Sequence, residues 1–127
     1  MIQGTVNAHR EAVVPIHIAG PSKVYVPLDT IVDTGFTASL TLPRRIVEEL
    51  RLPLMQQRRA VLGDGREVVF DLYEVSVRWG EGERQVLAYC TNSEPLLGLS
   101  LLYGYQLTMA VVDGGRVAIS PLPQPEL

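Results

Sequence analysis

Cysteine is almost absent from this chain of 127 residues, since Cys90 is the only one. A single thiol cannot form a disulfide within the chain, and it cannot supply a cysteine-rich metal site. The two histidines, His9 and His17, have no carboxylate or cysteine at ligand spacing, so the sequence predicts no metal site. Cys90 ends an apolar strand, and we interpret it as a small buried hydrophobic residue.

Runs of basic residues are also missing. Eleven Lys and Arg stand against fourteen Asp and Glu, which gives a formal net charge of −3 with both signs mixed along the chain. Arg44 with Arg45, and Arg58 with Arg59, are isolated pairs that we interpret as solvated. The chain is therefore not expected to bind nucleic acid.

Long hydrophobic runs are lacking as well. No apolar run approaches the ~20 residues that cross a bilayer. The segment 1–5 does not show the basic stretch and apolar stretch of a signal peptide. We therefore expect a soluble protein of the cytoplasm that has no membrane partner.

Glycine and proline are frequent, with eleven and nine copies, and 46% of the residues are hydrophobic. Such frequent glycine and proline favour many short strands around one core. We therefore predict one domain over 1–120 and a proline-rich tail over 121–127. The fold class is mostly β, with nine or ten strands that come in hairpins and are largely antiparallel. The predicted strands are 4–7, 12–18, 24–28 with 30–33, 40–42, 59–62, 66–70, 72–79, 85–90, 107–112 and 116–119.

Two short helices complete the prediction. The first begins at Pro43, which loses nothing by lacking an N–H in a first turn, and it ends before Pro53. Its apolar face consists of Ile46, Val47 and Leu50. The second helix is capped by Ser100 and ends at Gly104.

Two local features of the strands are also predicted. Pro15 cannot donate to a strand ladder, so one side of its strand is expected to be an edge or a bulge. Asp64 and Gly65 are expected to form a two-residue hairpin turn in which both residues have positive φ.

An acid follows a buried strand at one place in the chain. Ile31 and Val32 lead directly to Asp33, which is followed by Thr34 and Gly35. A buried carboxylate is costly unless it is paired or hydrogen-bonded. The local residues favour a simple turn in which Asp33 bonds its own backbone, so a catalytic role needs support from the rest of the chain.

Two later segments supply that context. The first is the glycine-tipped hairpin Leu62-Gly63-Asp64-Gly65, and the second is Leu96-Leu97-Gly98 before the second helix. This order resembles the retropepsin-like aspartic proteases, and more closely their prokaryotic branch, often called clan AA. In that family, a flap hairpin covers an apolar-apolar-Asp-Thr-Gly turn, and an apolar-apolar-Gly segment threads beside it. The resemblance covers about residues 4–119.

The resemblance implies a closed retropepsin-like β-barrel and an aspartic endopeptidase without metal or organic cofactor. It assigns the catalytic turn to Asp33, Thr34 and Gly35. Its implied substrate-binding residues are Leu62, Gly63, Asp64 and Gly65 in the flap, together with Leu97. The implied partners are a peptide or protein substrate and a second copy of the chain.

One acid in each chain implies a homodimer. Two carboxylates at ~3 Å repel by about 5 kcal/mol at an effective dielectric near 20, so they share one proton while they activate a water. Asp29 lies ~13 Å away along an extended strand and does not fit as a partner within the chain. The pair therefore requires Asp33 from each subunit, and we expect the last hairpin and terminal strand to form the dimer seam.

Two residues depart from the family pattern. Phe36 stands where retropepsins usually have a small residue, and Asp64 puts a charge on a flap tip that has fewer glycines than usual. They motivate an alternative, a non-catalytic dimeric peptide-binding or regulatory module on the same scaffold. A third hypothesis is a protease that cuts one dedicated partner protein.

Overall fold

The computed structural model describes residues 1–123, which form ten strands and two short helices. The mostly-β class with two short helices is therefore confirmed. The strands are β1 (Ile2–Val6), β2 (Ala12–Ala19), β3 (Val26–Val32), β4 (Leu40–Pro43), β5 (Leu54–Val61), β6 (Glu67–Trp79), β7 (Gly82–Thr91), β8 (Leu96–Leu97), β9 (Tyr105–Met109) and β10 (Arg116–Pro121). The helices are α1 (Arg44–Glu49) and α2 (Leu99–Leu102).

All ten strands belong to one sheet, in the order β5-β6-β7-β4-β8-β3-β2-β1-β10-β9. An additional pairing of β2 with β6 joins the part of this order that runs β6-β7-β4-β8-β3-β2 into a ring. The strands thus surround a common interior, whereas the closed barrel in its strict sense stays a prediction. β5 lies outside the ring at one end of the order, and β9 lies at the other end.

Pro15 lies at a gap in the pairing of β2. On one side, Pro15 is in register with Asp29 of β3. On the other side, β1 pairs with residues 12–13 and β6 pairs with residues 17–19, so Pro15 falls between the two partners. This confirms the predicted irregularity, since a proline has no N–H to give to a second neighbour.

The core lies inside the sheet and follows the two-residue period of the strands. In β2, alternate residues Val14, Ile16 and Ile18 are at most 3% exposed. Helix α1 covers one part of this core with Ile46 and Val47. Each such side chain stabilises the fold by roughly 1.5–3 kcal/mol through burial. Neither helix of residues 1–123 has the length and apolar character that crossing a bilayer requires.

The hairpin of β5 and β6 is longer than predicted. β5 begins at Leu54, five residues before the predicted start, and β6 continues through position 71 where the prediction had a break. The Asp71 carboxylate accepts a hydrogen bond from Gln57 Nε2 at 2.7 Å and faces Arg44 at 3.5 Å. Because cross-strand partners hold this acid, it does not interrupt the strand.

The predicted turn of this hairpin was wrong in its type. Gly65 has a φ of 87°, but Asp64 does not adopt positive φ. The Gly65 N–H donates to Leu62 O at 2.9 Å, so Gly63 and Asp64 are the central residues of the turn and Gly65 follows it. This is a three-residue loop with glycine in the left-handed region, which is the next most common hairpin connection.

The last hairpin also differs from its prediction, because β9 ends at Met109 and not at Val112. Residues 110–115 instead form a loop that packs against the end of β1. The Gly114 N–H donates to Val6 O at 2.8 Å, and a Cβ at Gly115 would overlap the carbonyl oxygen of Ala110. The predicted tail overlaps β10 at Pro121, and residues 124–127 lie outside the described part of the chain.

Candidate active site

The loop that carries Asp33 spans the short strand β8. Residues 33–39 connect β3 to β4, and β8 lies between these two strands. It is parallel to β3, with Val32 in register with Leu97, and antiparallel to β4, with Leu40 in register with Leu97. The predicted acid turn and the predicted apolar-apolar-Gly segment are therefore neighbours in space. Their separation in the sequence gave no direct evidence of this contact.

Asp33 is partly buried and is fixed at three points. Its N–H donates to Leu97 O at 3.0 Å, and its own carbonyl accepts from the Phe36 N–H at 3.1 Å. Its carboxylate Oδ1 accepts from the Gly35 N–H at 2.9 Å. The local turn that the sequence favoured is thus present, and it leaves Oδ2 without a protein donor among residues 1–123. The described residues place no cation within ion-pair distance of this carboxylate.

Gly98 allows α2 to lie directly against the loop. A Cβ at this position would overlap the carbonyl oxygen of Ala38 and would come within 2.7 Å of that of Phe36. Three N–H groups at the start of α2 donate to the loop: Gly98 to Ser39 O at 2.9 Å, Leu99 to Phe36 O at 2.8 Å and Ser100 to Ala38 O at 3.2 Å. The loop is therefore held along its length by a segment distant in sequence.

The predicted cap of α2 was wrong. Gly98 occupies the N-cap position, and Ser100 lies inside the helix. The Ser100 hydroxyl instead donates to the carbonyl oxygen of Thr37 at 2.6 Å, which adds a fourth bond between α2 and the loop. The predicted end of the helix is confirmed, because Gly104 follows it with a φ of 88°.

Thr41 and Thr30, which the sequence analysis did not single out, also support the site. The hydroxyl of Thr41, 5% exposed, accepts from the Leu96 N–H at 2.8 Å and so anchors β8 to β4. The hydroxyl of Thr30, fully buried, donates to Val14 O at 2.7 Å and ties β3 to β2. A threonine among apolar strand residues was the available signal, because a buried hydroxyl requires a partner.

The tip of the β5–β6 hairpin, residues 62–66, is exposed. The Leu62 N–H donates to Arg66 O at 2.8 Å, and Asp64 forms an ion pair with Arg66 at 2.6 Å. The predicted flap charge is thus partly neutralised by its own neighbour. The stem of the hairpin also exposes apolar surface, since Leu54, Met55, Val61 and Val69 are 53–70% exposed.

Aromatic rings connect the loop to the stem of this hairpin. Phe36 packs edge-on against Tyr89 of β7 with ring centres 5.9 Å apart. Tyr89 in turn meets Phe70 of β6 at 5.5 Å. Phe36 therefore does not project freely, because its ring lies between Gly98 and Tyr89. The sequence analysis singled out Phe36 as a departure from the family pattern, but it did not foresee the contact with Tyr89.

The remaining predicted residues occupy different surroundings. Thr34 is exposed, and its hydroxyl has no hydrogen-bond partner within residues 1–123, whereas the Leu97 side chain is fully buried in the core. Leu97 meets the loop through its backbone carbonyl. Cys90 is partly and not fully buried, and its removal from water raises the pKa of the thiol, which is unfavourable for a nucleophile.

Known structures share this architecture. A retropepsin-like aspartic protease from Rickettsia conorii superimposes on 96% of this chain and 91% of its own length, with a TM-score of 0.55 and 16% sequence identity. The fold is therefore retropepsin-like. No protein-family model matches the chain, and no curated protein matches it either.

A retropepsin-like fold agrees with the resemblance that the sequence motifs indicated. At 16% identity, the similarity concerns the path of the chain. The catalytic residues, the flap and the homodimer stay predictions at this point.

Proposed function

We propose that this protein is an aspartic endopeptidase that works as a homodimer on peptide or protein substrates. One observation supports this proposal more strongly than any other. On a retropepsin-like scaffold, Asp33 presents a carboxylate whose Oδ1 is fixed by Gly35 and whose charge no protein cation neutralises within residues 1–123. A carboxylate fixed in this manner is suited to sharing a proton with an identical group.

The chemistry needs one Asp33 from each subunit. One carboxyl group stays protonated because two adjacent negative charges repel, and the other remains ionised. The ionised carboxylate removes a proton from a water, whose oxygen attacks the peptide carbonyl carbon. The neutral acid gives its proton to the carbonyl oxygen. Collapse of the resulting tetrahedral diol breaks the C–N bond as the amine nitrogen receives a proton.

Thr34 and Gly35 support this pair in the proposal. Gly35 holds Oδ1 through its N–H and so fixes the position of the carboxylate. The exposed Thr34 hydroxyl is free to donate to the partner subunit's loop, which would brace the two loops against each other. Leu97 contributes its carbonyl, which fixes the backbone of Asp33.

The β5–β6 hairpin is the proposed cover. Leu62, Gly63, Asp64 and Gly65 form its tip, and closure over an extended peptide would exclude water from the carboxylates. The substrate would add as a strand through main-chain hydrogen bonds. The exposed apolar side chains of the hairpin stem are suited to contact such a peptide.

The proposed dimer seam is the hairpin of β9 and β10. β9 ends the strand order, so one side of its backbone can pair with another chain. Met109, Val111, Val112 and Leu122 are 44–65% exposed on and beside this hairpin. An exposed strand edge beside apolar side chains is a suitable surface for a second copy.

Cleavage of a peptide library from acidic to neutral pH tests the proposal. Asp33→Asn should lower kcat/KM by about a hundredfold to ten-thousandfold, because it removes the group that handles the proton. Asp29→Asn is the matched control, since it removes an exposed carboxylate from β3, the strand that leads to Asp33, and should change the rate little. Equal activity of wild type and Asp33→Asn would exclude the mechanism, and so would a monomer in sedimentation at assay concentration.

The alternative function, a non-catalytic peptide-binding module, is favoured by a separate observation. The surface formed by Phe36, Tyr89 and Phe70 lies between the loop and the hairpin and does not depend on Asp33. Such a module would bind extended peptides equally well with Asp33→Asn and would not cleave them. A protease dedicated to one partner would instead spare library peptides and cut that partner in an Asp33-dependent manner.

A further inference from the structure

A cavity of about 360 Å³ lies beside the loop that carries Asp33. On the side of the Asp33 loop, the cavity is lined by residues 37–39 and by Ser100 of α2. Arg58 of β5 lines it from the hairpin, together with Leu72, Leu87 and Tyr89. The cavity therefore lies between the proposed catalytic loop and the proposed cover, where the side chain of an extended substrate would enter.

Arg58 is the charged residue of this lining, and its guanidinium is held in place. The residue lies opposite Phe70 in the strand register, so both side chains share one face of the hairpin. Arg58 Nη1 donates to the hydroxyl oxygen of Tyr89 at 3.0 Å. Tyr89 is itself packed between Phe36 and Phe70. Arg58 is exposed, in agreement with its interpretation as a solvated residue, but its contact with Tyr89 was not foreseen.

The charge of Arg58 is not neutralised by the described part of the chain. The ion pairs formed there involve Lys23, Arg44 and Arg66. The partners of Arg58 are neutral: the Tyr89 hydroxyl and, with its amide turned, the side-chain oxygen of Gln56 at 3.2–3.3 Å. These contacts leave one N–H on each terminal guanidinium nitrogen available to donate to a carboxylate.

We propose that this cavity is a specificity site that selects substrates with an acidic side chain, and that Arg58 recognises the carboxylate. The proposal rests on the proposed peptidase function, because the cavity borders the Asp33 loop. Tyr89 positions the guanidinium, and Ser100 and residues 37–39 form the facing wall. The substrate class is thus a peptide with Glu or Asp near the scissile bond.

A position-scanned peptide library tests this specificity at about pH 6, where a Glu side chain is ionised. Each position of a cleavable peptide carries either Glu or Gln, and the peptides have amidated C-termini. At one position the Glu peptide should be cleaved with a kcat/KM about fivefold to twentyfold above that of its Gln partner. The preference should shrink as salt is raised, because charge pairing is screened.

Three variants test whether Arg58 causes the preference. Arg58→Gln should reduce the Glu-to-Gln ratio to about one at that position. Arg59→Gln is the matched control, because it removes the same charge from the opposite face of β5 and should keep the ratio. Tyr89→Phe should give an intermediate ratio, since the guanidinium keeps its charge but loses its anchor.

Peptide binding by the Asp33→Asn variant tests the specificity site independently of the peptidase proposal. Anisotropy of labelled Glu and Gln peptides reports the preference whether or not the wild type cleaves. If wild type does not cleave but the Glu peptide binds more tightly through Arg58, the peptidase proposal fails and the specificity site stands. Equal handling of Glu and Gln, an unchanged ratio in Arg58→Gln, or a preference seen only with a free C-terminal carboxylate would overturn the specificity site. Absence of any peptide binding would overturn it too.

Discussion

The loop that carries Asp33 is held by other segments of the chain, whereas the tip of the β5–β6 hairpin bonds within itself. Four hydrogen bonds from α2 and one to Leu97 fix the loop. The bonds at the hairpin tip all lie within residues 62–66. The loop is also packed against buried Leu97 and Gly98, whereas the tip is exposed.

This difference matches the two tasks that we propose for these segments. A group that handles protons must keep its geometry to within a fraction of an ångström, so its support has to come from rigid surroundings. A cover has to open and close around a substrate, so it gains from few bonds to the rest of the molecule. Substitutions should therefore have large effects at the loop and small effects at the tip.

The largest effect is expected for Gly98→Ala. The added methyl group would overlap the Ala38 carbonyl and would push the loop away from α2. We expect a loss of about 3 kcal/mol in the free energy of unfolding and a melting temperature lower by about 10 °C. Calorimetry and urea denaturation would measure both.

Gly35→Ala is the control within the same loop. A Cβ there meets only Asp33 Oδ1, at 3.2 Å, so stability should change by less than about 1 kcal/mol. If Gly98→Ala were as stable as Gly35→Ala, the view that α2 fixes the loop would be incorrect.

A middle-sized effect is expected for Thr41→Val. Valine has nearly the shape of threonine but leaves the Leu96 N–H without its acceptor in a buried place. The cost should be about 1–3 kcal/mol, with faster hydrogen exchange at the Leu96 amide. Thr5→Val, at an exposed position of β1, is the control and should stay within about 0.5 kcal/mol. An unchanged Leu96 amide would refute the anchoring role of Thr41.

The smallest effects are expected at the hairpin tip. Gly65→Ala should cost about 1 kcal/mol, because alanine does not favour a φ of 87°. Gly63→Ala meets no atom within 4 Å and should change stability by less than about 0.5 kcal/mol. Denaturation curves of both variants test this order. A cost at Gly63 as large as that at Gly98 would remove the contrast between tip and loop.

Local patterns predicted much of this fold. Alternation in β2, the amphipathic face of α1 and the turn at Asp33 all depend on neighbouring residues, and the structure contains them. The order of acid turn, glycine-tipped hairpin and apolar-apolar-Gly segment likewise predicted the retropepsin-like architecture. The strand, the helix face and the turns each have a periodicity or a turn chemistry that one segment displays by itself.

Long-range pairing was not predictable in the same manner. The parallel pairs of β3 with β8 and of β4 with β7 join segments far apart in the sequence, and no local pattern specifies them. Ser100 shows the same limit, since its position suggested a helix cap but Thr37 is its partner. Arg58 is exposed as interpreted, but nothing near it in the sequence indicated its bond to Tyr89.

The insertion of β8 between β3 and β4 has a consequence for biosynthesis. Asp33 is translated before residues 96–100, which hold its loop in place. Topologies with such distant contacts fold slowly, and nascent chains fold only once the required partner has emerged. A chain translated only as far as the β5–β6 hairpin thus carries Asp33 without the contacts that fix its loop, and the site that we propose would form only after residues 96–100 have emerged.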